Sequence, residues 1–118
     1  MYAFIELAAT WNEAVSNCTC HGGHLAEIET LGENDFITNE LSIRQNRGIG
    51  YWLGGYNFNG DSDLEWISKP TDCMPFTNWY PEEPNLKLDE HCLIAFRWGD
   101  FKWHDLNCAL LAPYVCEF

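Results

Sequence analysis

Six cysteines in a chain of 118 residues are the feature that most limits what this sequence can fold into. Such a density is typical of small proteins from oxidising compartments, where disulfides supplement a modest hydrophobic core. Spacing alone leaves every pairing open among the six. They are Cys18, Cys20, Cys73, Cys92, Cys108 and Cys116.

Length and charge narrow the class further. A chain of 118 residues that is 47% hydrophobic is expected to form one domain, residues 1–118. The net charge of −12 argues against binding to nucleic acid or anionic membranes and suits cation binding or solubility. The sequence has no apolar run of about 18 residues. Its start, MYAFIEL, lacks the features of a signal peptide, so we expect a mature fragment of a secreted protein.

Two capping-box patterns predict two helices. Thr10-x-x-Glu13 opens the first, which we expect to end near Cys20 before two glycines. Its apolar positions follow helical spacing: Trp11, Ala14, Val15 and Cys18. Thr30-x-x-Glu33 opens the second, which extends to about Ile43. It is predicted to bury Phe36, Ile37 and Leu41 and to turn Glu33, Asp35 and Glu40 to water.

Short apolar segments elsewhere predict strands, and two helices with short strands indicate an α+β domain. The predicted strands are Tyr2–Leu7, Tyr51–Gly54, Leu64–Ile67, Cys92–Phe96, Phe101–Trp103 and Tyr114–Phe118. Between them, Ser68–Leu88 carries four prolines and no periodicity. A loop of this length in a compact domain is normally functional or tied down.

The stretch Trp79–Asp105 concentrates carboxylates and amides, which are the oxygen ligands that calcium prefers. Glu83 and Asn85 flank a proline that restricts the backbone between them, and Glu90 and Asp105 follow farther along. The alternative is a set of solvated loop carboxylates in an acidic protein. Spacing alone leaves the two interpretations equally weighted.

Other motifs favour structural interpretations. Cys18, Cys20, His21 and His24 have spacings that suit zinc, but Cys18 falls on the apolar face of the first helix, which favours a disulfide. Asn17-Cys18-Thr19 fits a glycosylation acceptor, yet its position inside a helix predicts that it stays unmodified. The sequence shows no nucleophile pattern and no phosphate-binding loop, so we expect no enzymatic activity.

Seven motifs taken together carry a family resemblance that runs in order over essentially the whole chain. They are Trp11-x-x-Ala14-x-x-x-Cys18, His24-Leu25-Ala26, Tyr51-Trp52-Leu53-Gly54-Gly55, Glu83-Pro84-Asn85, Glu90-x-Cys92, Trp103-x-Asp105-x-x-Cys108 and Val115-Cys116-Glu117. Each motif alone is weak, whereas their combined spacing is highly specific. On these motifs the chain resembles the C-type lectin-like domain family, and its overall sequence pattern is most similar to small secreted invertebrate lectins.

The resemblance implies a double-loop fold with two helices, two small antiparallel sheets and adjacent chain ends. It also implies the bridges Cys18–Cys116 and Cys92–Cys108. Cys20 and Cys73 lie outside the basic family pattern, and our preferred hypothesis pairs them with each other. An inter-chain bridge through one or both is the alternative.

In sugar-binding members of the family, the long loop and the following strand hold one calcium ion. By position the resemblance implies ligands at Glu83, Asn85, Glu90 and Asp105, with Pro84 in the cis form, and the same residues would bind sugar hydroxyls. Glu-Pro-Asn is the family pattern for mannose, glucose, N-acetylglucosamine and fucose. Galactose preference goes more often with Gln-Pro-Asp, which this chain lacks.

One departure puts the metal site in question. The family usually has Trp-Asn-Asp where this chain has Trp103-His104-Asp105, so an imidazole replaces an amide oxygen. His104 is therefore a doubtful metal and sugar ligand, and it would make calcium binding sensitive to pH below neutrality. Auxiliary calcium positions are poorly matched: Asn57 and Asp61 offer oxygens, but His91 stands where an acidic residue is expected. We expect no second ion.

The sequence thus predicts a secreted, calcium-dependent lectin for mannose- or N-acetylglucosamine-type glycans, acting in microbial or self glycan recognition and as an oligomer or array. A lectin-like protein-interaction module, or a calcium-independent lectin, is the main alternative, and an antifreeze or biomineral-associated protein is a remoter one. Packing in the core or in loops is the favoured role of Trp79, Trp98 and Trp103, while Phe96 or Trp98 stacking on a sugar is the alternative.

Overall fold

The computed structural model describes residues 1–44, 46, 48–61, 63–85 and 91–118, and it has the two helices and mixed sheet of an α+β fold. The helices are α1 (Trp11–Cys20) and α2 (Leu31–Ile43). The strands are β1 (Tyr2–Ala9), β2 (His24–Leu25), β3 (Gly50–Tyr56), β4 (Glu65–Trp66), β5 (Cys92–Phe96), β6 (Trp103–Leu106) and β7 (Ala112–Glu117). None of the described helices is both long and apolar enough to cross a membrane.

In the described part of the chain, one sheet connects the seven strands, with the main order β1-β7-β3-β5-β6. Most pairs are antiparallel, but β3 also meets β7 in parallel at Trp52 and Tyr114, which joins the two small sheets that the resemblance implied. The chain ends pair with each other, since Tyr2 lies opposite Glu117. The strand β6 pairs with β5 and forms the other end of the strand order.

Both predicted helices begin where their caps place them. The first has a complete capping box: Glu13 N–H donates to Thr10 Oγ1, and Thr10 N–H donates to the Glu13 carboxylate. In the second, Thr30 caps Glu33 N–H, but the Glu33 carboxylate accepts instead from Glu29 N–H and from Tyr2. Glu33 is therefore half-buried, whereas the sequence predicted that it faces water.

The buried face of α2 differs from the predicted one. Phe36 is 50% exposed and lies against the Tyr2 ring, while the buried positions are Asn34, Ile37 and Leu41. Asn34 is buried because the long loop covers it, and its side-chain oxygen accepts from Asn78 Nδ2. Ile37 and Leu41 are buried as predicted, and Asn34 takes the third buried position in place of Phe36.

The last hairpin also corrects a prediction. The strand expected at Phe101–Trp103 begins only at Trp103, because Phe101 has a φ of +61° and belongs to the turn after β5. Residues Phe96 and Lys102 close this turn by a backbone hydrogen bond of 3.0 Å.

Two disulfides tie the fold together as the resemblance implied: Cys18–Cys116 and Cys92–Cys108. The bridge at Cys18 contradicts a zinc site built on that thiol. The preferred pairing of Cys20 with Cys73 is wrong in this structure, where both are exposed and unpaired. Cys20 ends the helix that packs in one core cluster, whereas Met74, next to Cys73, packs against the other cluster.

Candidate functional site

The long loop runs beside β6 and places its acidic end against that strand. Trp79 forms a parallel bridge with Trp103, in which Tyr80 N–H donates to the Trp103 carbonyl and Trp103 N–H donates to the Asn78 carbonyl. The Trp103 ring is buried and makes edge-to-face contacts with the rings of Trp66, Phe76 and Trp79. Aromatic packing and main-chain hydrogen bonds thus fix the loop on the edge of the sheet.

After this bridge the loop turns and brings Glu83 and Asn85 to β6. Glu83 N–H donates to the Tyr80 carbonyl at 2.9 Å, and the peptide bond between Glu83 and Pro84 is cis, as predicted. Asn85 N–H then donates to Asp105 Oδ1 at 2.9 Å, and Asn85 Nδ2 donates to Glu83 Oε2 at 2.9 Å. Three of the four predicted ligand positions therefore converge at one place.

Two carboxylates face each other here with little access to water. Asp105 is 0% exposed, and Glu83 Oε1 is buried without a hydrogen-bond partner among the described residues. Burial, together with the neighbouring Asp105 carboxyl, raises the pKa of Glu83 to about 7. The neighbouring carboxylates of Glu83 and Asp105 favour uptake of a proton or a cation, because either relieves their repulsion.

His104 closes the other side of Glu83. Its Nδ1 lies 3.4 Å from Glu83 Oε1, and its Nε2 is buried without a hydrogen-bond partner in the described part of the chain. The imidazole lies between Tyr80, at a centroid distance of 5.0 Å, and Phe96, at 4.4 Å. Burial lowers the pKa of His104, so the ring favours its neutral form.

One predicted ligand position remains, that of Glu90. Glu90 lies outside the described residues, as does Asp89. Across the ranges that are described, no group of three or more His, Cys, Asp and Glu side chains is arranged to hold a metal ion. Asn57 and Asp61 hydrogen-bond each other in the loop after β3.

The aromatic surroundings of His104 include one residue that sequence reasoning missed. Tyr80 was given no role, although its ring stacks on the imidazole. Gly99 packs against the Tyr80 ring, since a Cβ added at Gly99 would lie 2.8 Å from it. The favoured packing role is confirmed for Trp79 and Trp103 but is wrong for Trp98, which is 57% exposed.

This combination of fold, bridges and loop defines the class. The C-type lectin domain model matches residues 7–118, and the chain belongs to that family. Members of the family are non-enzymatic binding proteins. The domain typically binds calcium in the family.

Several curated relatives are similar to this chain in sequence. The chain is 34% identical over 91% of its length to mouse C-type lectin domain family 6 member A, and 31% identical over 98% to perlucin from Haliotis laevigata. It covers 74% of perlucin but only about half of the mouse relatives: 50% of family 6 member A and 46% of C-type lectin domain family 4 member A, to which it is 29% identical.

Two solved structures show the range of the fold. One is the SPL-1–GlcNAc complex, with a TM-score of 0.85 and 25% identity, covering 99% of this chain and 85% of that one. The other is a calcium-independent type II antifreeze protein, with a TM-score of 0.82 and 29% identity, covering 98% of this chain and 82% of that one.

Proposed function

We propose that residues 1–118 form one carbohydrate-recognition domain that binds terminal mannose-, N-acetylglucosamine- or fucose-type sugars in a calcium-dependent way. The observation that carries this proposal is the convergence of Glu83, Asn85 and Asp105 at the edge of β6. A carboxylate pair with an adjacent amide is a set of hard oxygen donors, and it has more negative charge than the surrounding groups neutralise.

The donor set fits calcium on its own chemistry. Glu83 Oε1 is buried and has no hydrogen-bond partner among the described residues, and a divalent cation would satisfy it and neutralise the repulsion between the two carboxylates. Glu83, Asn85, Asp105 and Glu90 would hold the ion. Calcium takes six to eight oxygen ligands, so the bound ion would leave positions for sugar hydroxyls.

The chain's own side chains would orient the sugar. The carboxylates of Glu83 and Glu90 can accept hydrogen bonds from hydroxyls, and the Asn85 amide can donate one. The Glu-Pro-Asn order favours mannose-type over galactose-type hydroxyl geometry by resemblance. The SPL-1–GlcNAc complex, similar across 99% of this chain, supports a ligand in the same group of sugars.

An extracellular setting follows from the same proposal. Two disulfides close this fold, and such bridges persist mainly in oxidising compartments. A single site of this kind is small, so useful affinity would come from several domains that act together on one glycan surface. Recognition of microbial or self glycans is the role that we propose for such an array.

The test is retention on mannose-agarose and galactose-agarose, each with calcium and with chelator. We expect retention on mannose-agarose in calcium, release by chelator, and little retention on galactose-agarose. Absence of retention on a broad glycan panel in calcium would refute the proposal, and retention that ignores chelator would remove the metal from it.

A matched pair of variants assigns the result to this site. Asp105→Asn removes one charge but keeps an oxygen that accepts from Asn85 N–H, so the loop should stay in place. Calcium affinity, measured by calorimetry, is expected to fall at least about tenfold. Asp100→Asn changes an exposed carboxylate in the turn after β5 and should change nothing.

A calcium-independent binding or protein-interaction module is the second candidate. His104 favours it, because an imidazole occupies the position of an oxygen ligand and its ring is enclosed by aromatic groups. The similar calcium-independent antifreeze protein shows that the fold exists without the ion. Calorimetry with calcium alone separates the two candidates, since this one predicts no calcium uptake.

A further inference from the structure

The loop after β3 is held by the side chains of two asparagines. Asn57 Nδ2 donates to the Asp61 carbonyl at 3.1 Å, and Asp61 N–H donates to Asn57 Oδ1 at 3.2 Å. Asn59 Nδ2 donates to the Pro70 carbonyl at 3.3 Å, and the same side chain hydrogen-bonds the Glu65 carboxyl. Asn59 thus fastens this loop to β4 and to the start of the long loop.

Gly60 follows Asn59 and leaves the backbone beside that side chain open. Gly60 is exposed and has a φ of +63°, and no atom beyond the adjacent residues lies within 4 Å of the position that a Cβ would take. In the described part of the chain, no group accepts a hydrogen bond from Gly60 N–H. Asn59 is itself exposed, and both of its contacts use Nδ2, the only donor of an asparagine side chain. Neither contact therefore engages its side-chain carbonyl.

The other asparagines of the chain lack this combination. None of them is followed by glycine. Asn39, for example, is exposed on α2, but the N–H of Glu40 lies within the helix. A helical N–H donates to the carbonyl four residues earlier, so it is not available for another reaction. Asn59 is the asparagine whose side-chain amide has a free and unhindered backbone nitrogen next to it.

We propose that Asn59-Gly60 is a site of spontaneous covalent modification, at which Asn59 converts to aspartate and isoaspartate. The Gly60 nitrogen attacks Asn59 Cγ and closes a five-membered succinimide, a reaction made fast because both groups belong to one chain. The Cγ–Nδ2 bond breaks, and ammonia leaves with the proton of the Gly60 nitrogen. Water then adds to either ring carbonyl and reopens the ring. Addition at Cγ gives aspartate, and addition at the backbone carbonyl gives isoaspartate.

The new carboxylate would face groups that repel it. Glu65 is 5% exposed, and its Oε1 has no hydrogen-bond partner among the described residues. Burial, together with the nearby carboxyls of Asp61 and Asp63, raises the pKa of Glu65. Conversion of Asn59 replaces a donor with a further acceptor, so the loop loses its hydrogen bonds to Glu65 and to Pro70. The modification therefore releases the loop from β4 and from the start of the long loop.

Prolonged incubation of the intact protein at mildly alkaline pH tests the proposal, because the attack requires a deprotonated Gly60 nitrogen. Peptide mapping by mass spectrometry, in water enriched in heavy oxygen, should show Asn59 converted and labelled while Asn39 is unchanged. Hydroxylamine, which attacks the succinimide, should cleave the chain after Asn59. The same chain unfolded in urea gives the rate that the sequence alone permits, and the folded protein should react within about tenfold of it. Persistence of Asn59 in the folded protein overturns the proposal.

Three variants separate the chemistry from its structural consequence. Asn59→Gln keeps an amide but does not form the five-membered ring, so it should stay unmodified and resist hydroxylamine. Asn59→Asp carries the charge of the product and should lower the midpoint of urea unfolding. Asn39→Asp makes the same charge change at an exposed helical position and should lower the midpoint less. An Asn59→Asp midpoint equal to that of the wild type would overturn the release of the loop. These measurements use neither calcium nor sugar, so their outcome is independent of the proposed function.

Discussion

The two ends of the strand order differ in how their buried polar groups are paired. At the β1–β7 end, indole groups lock α1 and β1 to the centre: Trp11 Nε1 donates to the Leu53 carbonyl at 2.9 Å, and Trp52 Nε1 donates to the Ala9 carbonyl at 3.0 Å. At the β6 end, Glu83 Oε1 and His104 Nε2 are buried without partners among the described residues. The indole groups of the first end are hydrogen-bonded, whereas the second end has two buried polar atoms that a ligand could satisfy.

The disulfides divide in the same way. Cys18–Cys116 connects α1 to β7 across 98 residues, whereas Cys92–Cys108 joins β5 to the segment after β6 across 16 residues. The longer link restricts the unfolded chain more, because it removes more of its conformational freedom. The long bridge at the β1–β7 end thus stabilises the whole fold. This stability allows unneutralised charge to persist at the β6 end.

The largest predicted effect is removal of the long bridge. Changing Cys18 and Cys116 to Ala should lower the free energy of unfolding by about 4–5 kcal/mol, against about 3 kcal/mol for the Cys92 and Cys108 pair. Urea unfolding of both variants measures the difference.

The unpaired cysteines provide the control for this comparison. Cys20→Ala and Cys73→Ala remove exposed thiols and should change the free energy of unfolding by less than about 0.5 kcal/mol. Equal losses for the two bridges would contradict the contrast between the two ends, and a large loss at Cys20 or Cys73 would show that these thiols are bridged in solution.

The sequence predicts a structural feature well when residues close to it in the chain determine that feature. The starts of both helices follow from Thr10 and Thr30, since a cap acts within one turn. The burial of Asn34 in place of Phe36 does not follow, because it depends on Asn78, which lies 44 residues away in sequence. Long-range contacts decide which face of a weakly patterned helix is covered.

The candidate site shows the same limit. Family spacing predicts that Glu83, Asn85 and Asp105 are ligands, and the structure brings those three together. The enclosure of His104 by Tyr80 is absent from any local pattern, since it arises from the parallel contact between the loop and β6. Residue types predicted the donors, and only the fold revealed what surrounds them.

His104 offers the sharpest way to weigh stability against function at the β6 end. His104→Asn should raise calcium affinity about tenfold, because an amide oxygen replaces an imidazole. The same change removes a ring packed between Tyr80 and Phe96, so it should lower the free energy of unfolding by about 1 kcal/mol without calcium. Calorimetry and urea unfolding with chelator measure the two quantities.

If His104→Asn raises calcium affinity and lowers the free energy of unfolding, then the imidazole stabilises the fold at the expense of calcium binding. The control for calcium affinity is His21→Asn, which changes an exposed imidazole at the C-cap of α1 and should leave that affinity unchanged. A loss of calcium affinity in His104→Asn would instead identify the imidazole as a ligand.

The smallest predicted effect tests the satisfied end of the molecule. Tyr2 Oη on β1 donates to Glu33 Oε2 on α2 at 2.7 Å. Burial acts to raise the pKa of Glu33, but hydrogen bonds from Tyr2, Glu29 and Thr30 outweigh it, and the pKa lies below its ordinary value. A depressed carboxyl pKa contributes stability above the ordinary range and loses it as the pH falls through the lowered value.

Tyr2→Phe should therefore cost about 1 kcal/mol at pH 7, and the difference from wild type should shrink below about pH 4 as Glu33 is protonated. Urea unfolding at pH 7 and pH 3 measures it. Glu33→Gln removes the titrating group, so the same Tyr2→Phe change in that background should lack this pH dependence. A Tyr2→Phe effect of the same size at both pH values would contradict this account, because the contribution of the hydroxyl would then not depend on the charge of Glu33.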